Sequence, residues 1–207
     1  MNTKARTINC PQCGNQLPLN FQFAKLTVCT SCGSTLFLED EAIRLAGKQS
    51  VLSDIPALLE LGTPFQYKKR VFTPVGKVRY RHKIGFWEEW WAVDNGGRGF
   101  WVSVDEGDFA FETPLDIDAS ELPARADVKL GKTIHLYDID WLVTEIGEGQ
   151  CEGFMGELPE IVTPGDSIPY AHLSDSHGQL LTLEYYSQTT RAYKGEWVDP
   201  YEIKSAL

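Results

Sequence analysis

From residue 61 onward, apolar and polar side chains mostly alternate with the two-residue period of a strand. Val78, Tyr80 and His82 interleave with Arg79, Arg81 and Lys83, which sets the cations on one strand face and the ring-bearing residues on the other. Trp87, Glu89, Trp91 and Val93 share one face, with Glu88, Trp90 and Ala92 opposite. Asn95-Gly96-Gly97 supplies a turn, after which Phe100, Val102 and Val104 alternate with Trp101, Ser103 and Asp105. Glu106-Gly107-Asp108 then turns the chain into Phe109-Ala110-Phe111. Strands joined by short glycine-bearing turns make a meander. No segment carries a 3.6-residue apolar period over about ten residues, so little helix is expected.

The body reads as two related copies, 61–116 and 130–203. Leu61-Gly62 introduces Phe65-Gln66-Tyr67, and Leu130-Gly131 introduces Ile134-His135-Leu136. Glu88-Glu89-Trp90-Trp91 has a rough counterpart in Thr182-Leu183-Glu184-Tyr185-Tyr186, and Gly107-Asp108-Phe109 in Gly195-Glu196-Trp197. The second copy is longer by about the stretch from Gly156 to Tyr170, a Pro/Gly-rich loop. The expected fold is mainly β: a zinc ribbon over 1–40, a connector over 41–60, and a β-rich body over 61–207 built from two meanders or small barrels.

The ribbon rests on Cys10-Pro11-Gln12-Cys13-Gly14 and Cys29-Thr30-Ser31-Cys32-Gly33, with fifteen residues between Cys13 and Cys29. Two intervening residues let both thiolates of a knuckle face one centre, and the glycine after each pair permits a tight turn. Four thiolates at about 2.3 Å close a tetrahedron around one structural Zn2+ and leave no position open for Lewis-acid chemistry. A disulfide pair, a redox switch or a rubredoxin-like iron site are the competing readings. Leu17, Leu19, Phe21 and Phe23 alternate between the knuckles, and Leu36, Phe37 and Leu38 follow the second, each a strand pattern. A module this small cannot bury enough apolar surface to fold without its metal.

Charge adds an asymmetry. The chain has a formal net charge of −10, which opposes general affinity for polyanions. Seven Lys or Arg residues nevertheless fall between Lys68 and Lys83 without one carboxylate, whereas Lys132 to Arg191 encloses ten carboxylates and no cation. Lys77, Arg79, Arg81 and Lys83 would form a stripe about 20 Å long, able to track phosphates or anionic lipid head groups. The acidic second copy would suit a polyamine or another small cation. The polar N-terminus, the absence of an apolar run of about 20 residues and the clustered thiols point to a cytoplasmic protein without a transmembrane segment.

Catalytic signatures are missing: there is no G-x-S-x-G, phosphate-cradling glycine loop or dinucleotide fingerprint, and a non-enzymatic protein is expected. His82, His135, His172 and His177 lack ligand spacing, although His172, His177 and Asp175 would be the set for a second metal. Cys151 stands alone, as a buried or surface thiol. Trp87, Trp90, Trp91 and Trp101 are core fillers, or, if one is exposed near Glu88 or Glu89, a contact for a peptide or a cationic ligand. The loop from Gly156-Glu157-Leu158-Pro159 to Asp166 reads either as a flap over a sheet edge or as a functional loop.

Gly85-Phe86-Trp87-Glu88-Glu89-Trp90, then Gly99-Phe100-Trp101 and Gly107-Asp108-Phe109, then Gly156-Glu157-Leu158-Pro159, Leu183-Glu184-Tyr185 and Tyr193-Lys194-Gly195-Glu196-Trp197-Val198 occur in this order. Together they resemble the bacterial domain-of-unknown-function family 4178, over about Ser50 to Ile203. The resemblance implies a soluble β-rich protein with no established activity. It also implies a setting beside polyamine aminopropyltransferase-like enzymes and small membrane proteins linked to envelope stress. The expected role is therefore an interaction or adaptor module with protein partners, with nucleic-acid binding, peripheral membrane contact and polyamine or small-ligand binding as alternatives.

Overall fold

The computed structural model describes residues 6–39, 42–45, 52 and 57–206. Strand dominates, and helix among these residues is limited to three short 3-10 turns. None of their helices is long and apolar enough to cross a membrane. The ribbon consists of two small antiparallel sheets. In the first, β1 (Arg6–Asn9) pairs with β2 (Gln16–Leu19) across the Cys10–Cys13 knuckle. In the second, β3 (Leu26–Val28) pairs with β4 (Thr35–Glu39) across the Cys29–Cys32 knuckle, and β4 pairs with β5 (Ala42–Leu45). The alternation expected through Phe23 breaks after Leu19. Asn20 to Phe23 bend, burying Phe21 and leaving Phe23 exposed. Of the connector expected over 41–60, Ala42–Leu45 is this strand, and residues 41, 46–51 and 53–56 lie outside the described residues.

The remaining strands form one sheet that closes on itself. β6 (Phe65–Tyr67), β7 (Arg70–Arg81), β8 (Phe86–Asp94), β9 (Gly99–Asp105) and β10 (Asp108–Pro114) follow one another as an antiparallel meander. β11 (Thr133–Leu136), β12 (Ile139–Gly156), β13 (Ser167–Ser174), β14 (Gln179–Tyr185) and β15 (Thr190–Val198) repeat that order. β10 pairs with β15, and the second half of β12 pairs with β7. Both seams are antiparallel, so β7–β10 and β12–β15 make one eight-stranded barrel rather than two. The short β6 and β11 flank it as hairpin partners of β7 and β12, and β16 (Lys204–Ser205) adds to β6.

The two meanders begin alike. Gly62 and Gly131, both at positive φ, donate N–H to Pro74 O and Val143 O at 2.8 and 2.9 Å. Positive φ recurs at the tip of each first hairpin, at Lys68 and at Tyr137 and Asp138. The loop 157–166 joins β12 to β13 where β7 and β8 are joined by 82–85. Two correspondences expected from sequence are displaced. Glu88 to Trp91 lies on β8, whose positional equivalent is β13, whereas Thr182 to Tyr186 starts on β14. Gly107 precedes β10, whereas Gly195 sits inside β15, directly opposite Glu112.

Each barrel strand offers one face to the lumen and one to the outside, and both are covered. Outside the first meander, Trp90, Ala92, Val102, Phe109 and Phe111 pack with Phe65, Tyr67, Phe72 and Leu59. Outside the second, Val143, Leu173, Leu181 and Leu183 pack under Leu122 and Val128 of the 115–128 segment. The third cluster joins ribbon residues Leu19, Phe21, Leu26 and Leu36 to Trp91, Trp101 and Leu158, and so closes one barrel end.

Candidate functional site

The two knuckles are built alike. Cys10 O accepts the Gly14 N–H and Cys29 O the Gly33 N–H, both at 2.8 Å, while Cys10 N and Cys29 N donate to Asn15 O and Ser34 O. Gly14 and Gly33 sit at φ of 74° and 70°, the left-handed region these turns require. The four sulfurs lie within 4.8 Å of one another, and the Cys10–Cys32 and Cys13–Cys29 pairs are each 3.7 Å apart. That is close to the edge of a tetrahedron of thiolates at about 2.3 Å from its centre, and well beyond the roughly 2.05 Å of a disulfide. All four cysteines are free. The set fits one tetrahedral metal ion, to which it would present only sulfur.

The ribbon is clamped to the barrel by Glu157, a buried carboxylate at the end of β12. One oxygen accepts from the Asn20 backbone N–H and side-chain amide at 2.8 and 2.9 Å, and the other from the Phe21 N–H at 2.6 Å. Next to it, Leu26 and Leu158 exchange backbone hydrogen bonds. Phe21 then meets Trp91 edge-on at 5.4 Å, and Trp91 packs on Trp101 at 5.0 Å. Glu157→Gln replaces one acceptor by a donor facing an N–H. It is expected to cost about 2 kcal/mol, read as a lower midpoint in urea unfolding and earlier proteolysis of the ribbon.

The opposite end of the barrel leads into a cavity of about 60 Å³ inside the lumen. Side chains from all eight strands line it. β8 contributes Trp87 and Glu89, β9 Ser103 and Asp105, and β10 Asp108, Ala110 and Glu112. Across the lumen stand Tyr80 of β7, Glu145 of β12, Tyr170 and His172 of β13, Thr182 and Glu184 of β14, and Tyr193 and Trp197 of β15. Two inward glycines on β12 make room for the rings. A Cβ on Gly147 would fall 2.4 Å from Tyr170, and one on Gly149 2.0 Å from Trp87. Gly149→Ala must therefore displace Trp87. An overpacking cost of about 2 kcal/mol is expected, with a changed tryptophan emission as its signature.

The inward carboxylates are held by neutral donors. Trp87 Nε1 donates to Glu89 at 2.9 Å. Ser103 Oγ and Thr182 Oγ1 donate to the two oxygens of Glu112 at 3.2 and 2.5 Å, and Tyr186 OH donates to Glu184 at 2.8 Å. Burial pushes Glu89 well above the usual carboxylate range, and the Glu184 charge adds to the effect. Burial likewise raises Glu112, and raises Glu184 to about 7. Nearer the mouth, Glu145 accepts from Tyr170 OH at 2.6 Å and lies 3.3 Å from His172 Nδ1. The His172 hydrogen bond, with that of Tyr170 and against the cost of burial, lowers Glu145 to about 2. Burial opposes charging of His172, but its bond to Glu145 and the carboxylates around it outweigh burial and raise its pKa.

The residues singled out in the sequence divide between three places. Cys10, Cys13, Cys29 and Cys32 converge on one point. Trp87 and Trp101 line the lumen, whereas Trp90 packs outside the barrel. Trp90 and Trp101 are buried and Trp87 is half-buried, stacked on Tyr80 at 5.2 Å, because closure covers both faces of β8. Glu88 points away from the lumen and is buried too, and it rules out the continuous cationic stripe. Lys77 and Arg79 are 5% and 3% exposed, with Glu88 accepting from both at 3.0 and 2.6 Å. Arg81 is exposed but pairs with Glu152, and only it and Lys83 remain outside. His172 bonds Glu145 rather than joining His177 and Asp175, and Asp175 instead accepts the His177 and Gln179 N–H groups. Cys151 is buried, and burial raises its thiol to about 12.

The sequence named Glu89 only as a neighbour of an exposed tryptophan and Glu184 only as part of the acidic second copy, and Glu112 was not singled out. Their signal was the placement of Glu89 between Trp87 and Trp91 on a single strand face.

The architecture is a closed antiparallel barrel with an acidic, aromatic lumen and a four-cysteine ribbon at one end. A family model described as a domain of unknown function, DUF4178, matches residues 60–200, and the chain belongs to that family. No curated protein and no solved structure matches it.

Proposed function

We propose that this protein is a non-enzymatic binding protein whose barrel lumen takes a small ligand, and that zinc at the four cysteines fixes the ribbon as the floor. One observation carries this reading. Three carboxylates, the half-buried Glu89 and the buried Glu112 and Glu184, face one cavity and receive only neutral protein donors among the described residues. Uncompensated buried acids are costly to a fold, and their convergence in a cavity is a mark of a functional site. An eight-stranded barrel also has an interior of the size that holds side chains plus one small molecule. The Ser103, Thr182 and Tyr186 hydroxyls are spent on carboxylates, an arrangement suited to binding charge.

Ala110 is buried, faces the lumen and lines the cavity. Ala110→Val places two further methyl groups there and leaves every polar group intact. Native mass spectra of gently purified protein should show a small-molecule adduct in addition to the metal, and Ala110→Val should lack it while keeping the same far-UV spectrum. Metal alone on both proteins would refute the lumen as a binding site. In the same spectra, zinc should appear at one ion per chain.

A further inference from the structure

We infer that the lumen recognises a linear aliphatic diamine, with one ammonium seated among Glu89, Glu112 and Glu184 and the second held at the mouth by Asp105, Asp108 and Glu145. The inference rests on the lumen being a binding site and names the class of ligand.

Charge gives the first argument. Six carboxylates line the cavity against the single imidazole of His172, and no Lys or Arg lines it among the described residues. The carboxylates are already oriented. Each ionised carboxylate offers about four lone-pair sites, and an ammonium offers three donors and no acceptor. The protein donors at Glu89, Glu112 and Glu184 therefore leave acceptor sites open towards the lumen.

Tyr80 gives an independent argument. Its ring is 2% exposed and lines the cavity beside Trp87, yet its hydroxyl makes no hydrogen bond among the described residues. A hydroxyl left unpaired on a side chain this buried keeps its bonding capacity for whatever occupies the cavity. Because the nearby acids are held by other donors, this oxygen is free to accept from a ligand N–H. Around it, Trp87, Trp101, Tyr170 and Tyr193 supply ring faces and edges, which suit a cation and its methylenes.

Size and spacing choose among cations. A cavity of about 60 Å³ is several times the ~10–15 Å³ that one enclosed water needs. That is room for an ammonium and a short stretch of chain. In the β8–β9 ladder Glu89 opposes Ser103 and Trp87 opposes Asp105. Glu89 thus lies two residues, about 7 Å along the strand, in from the row of Asp105 and Asp108, which is close to the reach of a four-carbon diamine, and Glu112 stands one row deeper, opposite Trp101.

The test is calorimetric titration of the full, metal-loaded protein at 150 mM salt with 1,4-diaminobutane, 1,2-diaminoethane, butan-1-amine and butane-1,4-diol. The four-carbon diamine should bind saturably and at least tenfold more tightly than either other amine, with no heat from the diol. Glu89→Gln and Glu184→Gln should each lose at least tenfold while keeping or raising Tm, so that lost binding is not lost folding. Asp105→Asn with Asp108→Asn should bring the diamine down to the monoamine's affinity. Equal binding of the diol overturns the ammonium assignment. Diamine heat that persists in the Glu→Gln variants also overturns it, by placing the amine on the acidic surface. A silent diamine together with an Ala110-dependent adduct in the native spectrum overturns the diamine and leaves the lumen reading standing. Silence in both experiments overturns the two together.

Discussion

Stripping the metal from the four cysteines is expected to unfold the ribbon and leave the barrel standing. The ribbon's own apolar residues, Ile8, Leu17, Leu19, Leu36 and Leu38 among them, are few, and its strands are three to five residues long. Such a module lies below the size at which a hydrophobic core holds by itself. In peptides of this kind a structural zinc contributes about 10–16 kcal/mol to folding, more than any single contact in the chain can replace. The barrel, by contrast, is closed by its own ladders at both seams. Chelation should therefore expose protease sites within residues 6–45 while the far-UV signature of the barrel persists. Cys10→Ser and Cys29→Ser, which alter the two buried sulfurs, should mimic chelation. The barrel end beneath the ribbon should respond as well: once Phe21 leaves Trp91, tryptophan emission should shift to longer wavelength. A ribbon that stays protected after exhaustive chelation would show that packing against Trp91 and Leu158, together with the Glu157 clamp, suffices without metal.

Local order was legible in the sequence, and closure was not. The two-residue period placed the strands of the first meander because side-chain alternation is a property of each strand alone. The knuckles were equally legible, since both ligands of each pair and the glycine that turns them lie within five residues. The barrel depends instead on β7 meeting β12 and β10 meeting β15, which bring Tyr80 opposite Cys151 and Phe109 opposite Val198. No periodicity encodes such distant pairings. The same gap explains why Lys77 and Arg79 read as a surface stripe. Burial turns on what covers the outside of β7 and on Glu88 across the ladder, and a cation run looks the same solvated or paired. Glu157 shows the difficulty in its strongest form, because its partners Asn20 and Phe21 are 137 and 136 residues away. Gly147 and Gly149 gave no sequence signal for their role. It is to admit the rings of Tyr170 and Trp87, which arrive from other strands.

The barrel is expected to lose stability as pH rises from about 5 to 8, and Glu184→Gln is expected to remove much of that loss. In the unfolded chain a glutamate titrates near 4.3. In the lumen burial raises Glu184 to about 7 and also lifts Glu112 and Glu89. The folded state thus holds more protons than the unfolded one from about pH 4.3 up through 7, and unfolding free energy falls across that window. The shift at Glu184 alone corresponds to on the order of 3 kcal/mol. His172 acts in the same direction: its raised pKa gives stability that is present below about pH 6.5 and lost as pH climbs through the folded value. Burial fixes the sign at Glu184, and the facing groups, the Tyr193 hydroxyl that also bonds it included, adjust the size. Glu112 and Glu89 repel its charge, His172 attracts it, and the Tyr186 hydroxyl bonds it. Carboxylates held low, such as Glu145 at about 2, give stability lost only as pH falls towards that value, below the window. Thiolate protonation at the metal site opposes the trend by weakening the ribbon at low pH. The informative quantity is therefore the difference between the two proteins, in which the ribbon cancels. Urea unfolding of both at pH 5 and pH 8 supplies it. The variant should gain on the parent by on the order of 3 kcal/mol between the two pH values, and a constant difference would mean that Glu184 is ionised throughout, with a counter-charge already beside it.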